Sequence, residues 1–125
     1  VELDRSPVAL FGAAAFVRQY RGKLRRALRE APMLVPSQES SARRVLDTWV
    51  GLQGITPKIV AEFDDASLRE SMAAAGLGVC FAPVLLEAEL RRTYGLQPIA
   101  VVRGPEARYF AVSRTAASMP LPAPS

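Results

Sequence analysis

The chain contains no histidine. That excludes a histidine general base, a histidine-centred triad and the usual histidine-bearing metal sites. The single cysteine, Cys80, rules out an internal disulfide, and its place in an apolar run reads as a small core residue in a reduced, cytoplasmic setting. No apolar stretch approaches the roughly 20 residues needed to cross a bilayer, and no signal-peptide pattern stands at the start, so no membrane partner is expected. Val1 in place of methionine reads as a piece of something longer. P-loop, GxSxG and zinc-ligand spacings are missing too, so the chain is read as no enzyme, with no catalytic residue, bound metal or cofactor.

What is present suits one compact domain: 125 residues, half of them apolar. A net charge of +4 and a pI near 9.8 favour solubility and do not identify a nucleic-acid ligand. Val8 to Phe11 reads as a strand leaving through Gly12. Phe16, Tyr20, Leu24 and Leu28 recur every fourth residue and predict one helix, weakened at Gly22. Its other faces carry Arg18, Arg21, Lys23, Arg25, Arg26 and Arg29. A phosphate-tracking surface would look like this, but no interleaved aromatics or glycine-rich loop accompanies the cations, so a solvated face is the better reading.

Met33 to Val35 reads as a short strand closed by Pro36. The polar turn 37–41 then leads into a helix with the apolar stripe Ala42, Val45, Leu46, Trp49 and Val50, stopped at Gly54. Hydroxyls of Ser37, Ser40 and Ser41 at that helix start make a ready anion site, and capping explains them equally well. From Pro57 to Pro83 the pattern is strand, helix, strand: Lys58 to Phe63, then Ser67, Leu68, Met72 and Ala75 at helical spacing, then Val79 to Ala82. Such a unit implies a parallel sheet, whose ligands gather beyond the carboxyl ends of the strands. Hence the turn at Asp64 and Asp65 is the first place to look for one. Glu62 and Asp64 share a strand face and, with Ser37, offer some of the oxygens a hard cation needs, while Asp65 is read as a helix cap. Gly76 and Gly78 lie after a helix and before a strand, the reverse of a dinucleotide loop. Their role is close backbone approach, to a neighbouring element or to a small ligand.

Pro83 is expected to open a helix through Leu85, Leu86, Glu89 and Leu90 that stops at Gly95. Ile99 to Val102 and Tyr109 to Val112 read as two strands joined at Gly104, Pro105 and Glu106. Residues 116–125, with three prolines, read as an irregular tail.

The ordered stretches APMLVPSQES, RRVLDTW, GITPKIVAEFDDASL, GLGVCFAP and YGL resemble the effector-binding domain of LysR-type transcriptional regulators. Within that family they look most like the NhaR-type activators of sodium/proton antiporter genes. The resemblance implies an α/β fold like that of type 2 periplasmic binding proteins, with a mostly parallel sheet flanked by helices and an effector held between two subdomains. By that resemblance residues 1–31 lead in from the first subdomain, 32–90 form the second, 91–114 return to the first and 115–125 are a Pro-rich tail. The cleft wall would be Ser37, Ser40, Ser41, Phe63, Asp64, Gly78 and Val79. A homodimer, or a higher homo-oligomer, would form through Arg43, Leu46, Trp49 and Val50 on the helix and Ile59 and Ala61 on the strand. The effector would be a small molecule or an ion, and DNA would be reached only through a helix-turn-helix region outside this chain. A transport-type solute-binding module sharing the fold is the rival reading. An enzyme using the acids near Asp64 is the weakest of the three.

Overall fold

A computed structural model describes residues 7–102 of the chain. The expected strand Tyr109 to Val112, the turn before it and the Pro-rich tail lie outside the described residues. Five strands and five α-helices follow in the order β1 (Val8–Gly12), α1 (Ala14–Tyr20), α2 (Leu24–Glu30), β2 (Pro32–Pro36), α3 (Ser41–Leu52), β3 (Lys58–Phe63), α4 (Ala66–Ala74), β4 (Cys80–Pro83), α5 (Glu87–Tyr94) and β5 (Gln97–Val101). A 3-10 turn, Val84–Leu86, joins β4 to α5.

The strands form three layers with the helices, because both faces of each central strand are apolar. In β1, Val8 and Leu10 point to one core cluster and Ala9 and Phe11 to the other. Alternation of this kind is the period of two that a strand imposes. On the first face α1, α2 and α3 contribute Val17, Tyr20, Ala27, Leu28, Leu46, Trp49 and Val50. On the second, α4 and α5 contribute Ala73 and Leu90 around Leu34, Cys80 and Ala82. The edge-to-face contact of Trp49 and Phe81, with centroids 5.9 Å apart at 88°, locks α3 to β4.

The α/β class stands, but only half of the sheet is parallel. β2 and β3 run parallel, and Val79 bridges Met33 in parallel. β1 then lies between β4 and β5 and is antiparallel to both. The expected mostly parallel sheet is thus parallel only in part, because hydrophobic alternation reports which strands are buried and carries no information about their direction. The strand–helix–strand unit is real, yet β3 and β4 are not neighbours: β2 is inserted between β3 and the start of β4.

Two other expectations change. The single helix from Phe16 to Leu28 is two helices, because Gly22 takes φ 75°. At that break the Gly22 N–H donates to the Ile99 carbonyl at 2.8 Å, so the turn closes over β5, a bond an unbroken helix could not make. The helix expected from Pro83 begins only at Glu87. The preceding turn leaves Leu85 and Leu86 exposed. The helix stops anticipated at Gly54, Gly76 and Gly95 are observed.

Candidate functional site

Parallel β2 and β3, with the parallel bridge at Val79, send their carboxyl ends to one side of the molecule. The same side carries the end of β4 at Pro83, which pairs with Val8 at the start of β1. It also carries both limits of the described residues: the Val84 N–H donates to the Pro7 carbonyl and the Val102 N–H to the Val8 carbonyl, each at 2.9 Å. Loops leaving parallel strands collect there, and so do the ligands of such sheets.

On that side the turn 37–41 is built by a small set of bonds. The Ser37 N–H donates to the Phe63 carbonyl at 2.9 Å, joining the turn to the end of β3. The Ser40 hydroxyl donates to the Ser37 carbonyl at 2.9 Å and accepts from the Arg43 N–H at 3.0 Å, which caps α3. Ser40 is therefore committed to the fold. Among the described residues, the Ser37 and Ser41 side chains make no hydrogen bond, and both are half-buried at the rim. Phe63 is half-buried and Asp64 exposed beside them. Asp65 caps α4, accepting from the Ser67 N–H at 3.1 Å, as its position in the sequence suggested. So Ser37, Ser40, Ser41, Phe63 and Asp64 come together.

Gly78 and Val79 do not join them. They precede β4, and Val79 is held against the first half of β2 by bonds from the Leu34 N–H and to the Pro32 carbonyl, both 2.9 Å. At a strand rise of about 3.3 Å per residue this places them roughly 15 Å from the turn, at the amino ends of the strands. Residues entering a parallel strand sit opposite those leaving it, so the part of β4 on the side of the turn is its end at Pro83. There Pro7, Val84, Leu85, Glu87, Arg91 and Arg92 border a groove of about 690 Å³. The strand-end rule applied to Pro83 would have found it. Gly78 keeps the other role foreseen for it: a Cβ there would stand 2.7 Å from the Pro32 carbonyl oxygen, so only glycine admits β2 this closely.

The residues expected at a subunit interface divide as well. Leu46, Trp49 and Val50 are buried in the first core cluster and face inward. Arg43 is buried, with ion pairs to Asp47 at 2.9 Å and Glu62 at 3.2 Å. Ala61 packs on the second cluster. Ile59 is exposed, and so is its neighbour Val60, which the sequence reading passed over. Among the described strands β3 has one neighbour only, so Ile59 and Val60 lie on an edge.

Among the described residues no three acidic or cysteine side chains cluster as metal ligands. The Arg43 cation beside Glu62 opposes a direct cation site at that carboxylate. The basic helices prove partly structural: Arg25 donates to the Gln53 side-chain oxygen at 2.7 Å and to its carbonyl at 2.8 Å, and Arg26 pairs with Glu30 at 3.2 Å. No helix among the described residues is long and apolar enough to cross a membrane.

A layered α/β body with turns gathered at one end of its sheet is the architecture of a periplasmic-binding-protein-like ligand-binding domain. The chain belongs to the LysR substrate binding domain family, whose model matches residues 1–123. That family membership favours the regulator reading over the transport module. The chain is 36% identical over 58 residues to the transcriptional activator protein NhaR of Escherichia coli (strain K12), a match covering 46% of this chain and 19% of that protein. The fold is similar to the effector binding domain of QuiR in complex with shikimate, with TM-score 0.62 and 14% identity over 88% of this chain and 61% of that one. It is equally similar to the Synechocystis PCC6803 CcmR regulatory domain in complex with 2-PG, with TM-score 0.62 and 10% identity over 90% and 64% of the respective chains. The chain thus spans about a fifth of NhaR in the matched stretch and under two thirds of the solved effector domains.

Proposed function

We propose that this chain is the non-enzymatic, effector-sensing lobe of a cytoplasmic LysR-type activator of the NhaR kind, working as a homodimer and reaching DNA only through a region outside it. Residues 7–102 would form one lobe, with the turn 37–41, Phe63, Asp64 and the groove at Pro83 as its half of a cleft. The observation that carries this reading is the bonding of the turn to the end of β3, through the Ser37 N–H and the Phe63 carbonyl, at the carboxyl ends of the parallel strands. An effector preferring one closure of the cleft would bias the arrangement of subunits, and through it the tethered DNA-binding regions.

Two effector classes follow from the chemistry. An NhaR-like role suggests sodium ions or pH, acting through Asp64 and neighbouring oxygens. The Ser37 and Ser41 hydroxyls near the start of α3 suit instead a small hydroxylated carboxylate, the chemistry of shikimate on the QuiR domain. A thermal-shift titration of the whole chain with sodium chloride, potassium chloride at equal ionic strength, and shikimate separates them. A rise in melting temperature specific to sodium supports the ion reading, and one specific to shikimate supports the carboxylate reading. Identical curves with all three overturn sensing of either class by this lobe.

A further inference from the structure

Among the described residues Arg43 is the one charged side chain in the buried class, 6% exposed. It stands in the first turn of α3, and its guanidinium touches three separate pieces of the fold. Nη1 donates to the Pro36 carbonyl, at the end of β2, at 3.0 Å. The same nitrogen lies 3.2 Å from Glu62 Oε2 on β3. Nε donates to Asp47 Oδ1, one turn further along α3, at 2.9 Å. Through its own N–H the residue also holds the Ser40 hydroxyl, which in turn holds the Ser37 carbonyl. Burial by itself opposes the charge, and the bonds to Asp47 and Glu62 more than restore it.

The guanidinium is buried while Asp47 and Glu62 stay half-exposed, so the two ion pairs add little net stability by themselves. What a planar, fixed fork adds is geometry: the acceptors on β2, β3 and α3 must keep their relative positions to stay bonded. Turn and edge strand then move together or lose bonds together.

We propose that Arg43 is a positioning residue that couples the turn 37–41 to strand β3, so that a displacement at the rim of the cleft is felt along the β3 edge. This rests on the turn being an effector wall and β3 a subunit edge, and it supplies the route between them. A second route exists through the backbone bond from Ser37 to Phe63, and the test has to separate the two.

Amide hydrogen exchange of β3, measured by NMR on the whole chain, does so. Ser40→Ala perturbs the turn, and its effect on β3 is compared in the wild-type background, in Arg43→Lys, which keeps the charge without the fork, and in Glu62→Ala, which removes the acceptor on β3. Glu62 is 40% exposed, so its truncation leaves the core intact and keeps the test valid if Arg43→Lys fails to fold. The expected result is an acceleration of β3 exchange by about tenfold in the wild-type background, falling below about twofold in the other two. Equal acceleration in all three backgrounds assigns the coupling to the backbone bond and overturns the proposal, as does no acceleration in the wild type. Sedimentation equilibrium on the same samples reads subunit pairing separately. A monomer that still shows the Arg43-dependent effect removes the edge reading while the route stands.

Discussion

At the scale of single residues, Gly78 and Cys80 carry the clearest consequences. A methyl group at position 78 would meet the Pro32 carbonyl at 2.7 Å and the Leu34 side chain at 3.0 Å, so β2 and the start of β4 must part to admit it. Gly78→Ala is expected to lower stability by roughly 1–3 kcal/mol, seen as a lower urea midpoint with unchanged slope. Cys80 is fully buried, and burial pushes its thiol up to about 11 from an ordinary 9.0. Between those values the folded chain keeps a proton that the unfolded chain has released. The contribution is therefore whole below pH 9.0 and is lost as pH rises through about 11, in total roughly 3 kcal/mol. A urea midpoint falling between about pH 8 and about pH 10.5 in the wild type, with a shallower fall in Cys80→Ala, is the expected pattern. Equal falls in the two proteins would assign the alkaline loss to other groups, Tyr20 among them, whose hydroxyl is also raised by burial and by Glu30. The cysteine's place in the core was legible from the apolar run around it. The close approach at Gly78 was legible as a possibility, since the neighbouring element remained unidentified until β2 was seen to lie between β3 and β4.

Elements were legible where their ends are chemical and illegible where they depend on distant partners. Ser40 and Asp65 cap α3 and α4 as their positions suggest, because a side-chain acceptor at a helix start satisfies an N–H that has no partner within the helix. They differ in surroundings: Ser40 is half-buried and holds the Ser37 carbonyl as well, while Asp65 is exposed and makes one bond. Ser40→Ala should therefore cost about 1–2 kcal/mol and Asp65→Ala about 0.5–1 kcal/mol by chemical denaturation. The reverse order would show that the link to Ser37 contributes nothing beyond the cap. The break between α1 and α2 was misread because the spacing of Phe16, Tyr20, Leu24 and Leu28 is helical on both sides of Gly22. Gly22 marked the weak point, but the Ile99 carbonyl on β5 that its N–H meets at the break is almost 80 residues away and leaves no local pattern. Strand direction failed in the same way, since the antiparallel β1 and the parallel β2 are both buried on both faces.

For the whole molecule, the layered fold and the gathering of turns at one end follow from the strand–helix–strand pattern, while much of the apolar face expected at a subunit interface lies in the chain's own core. Leu46, Trp49 and Val50 repeat like an interface stripe, yet the core takes them all. Sequence spacing identifies an apolar face and cannot say whether the covering surface is the same chain or another. β3 is different: Ile59 is 37% and Val60 55% exposed on a six-residue edge strand. An apolar edge left bare invites pairing and aggregation, and folded proteins cover it or charge it. Here Lys58 and Glu62 supply the charge, Glu62 also facing Arg43, and pairing of this edge with a second copy is the proposal that the next substitution tests. Replacing both residues with Ile59→Lys and Val60→Lys sets four like charges across a two-fold interface, where such juxtapositions cost several kcal/mol. The dimer should weaken by about 100-fold or more in sedimentation equilibrium. The melting temperature extrapolated to low protein concentration should stay close to wild type, because neither side chain is part of the core. A dimer of unchanged strength would move the interface away from β3, and a monomer that melts far below the wild type would show that β3 needs these two side chains for its own pairing with β2.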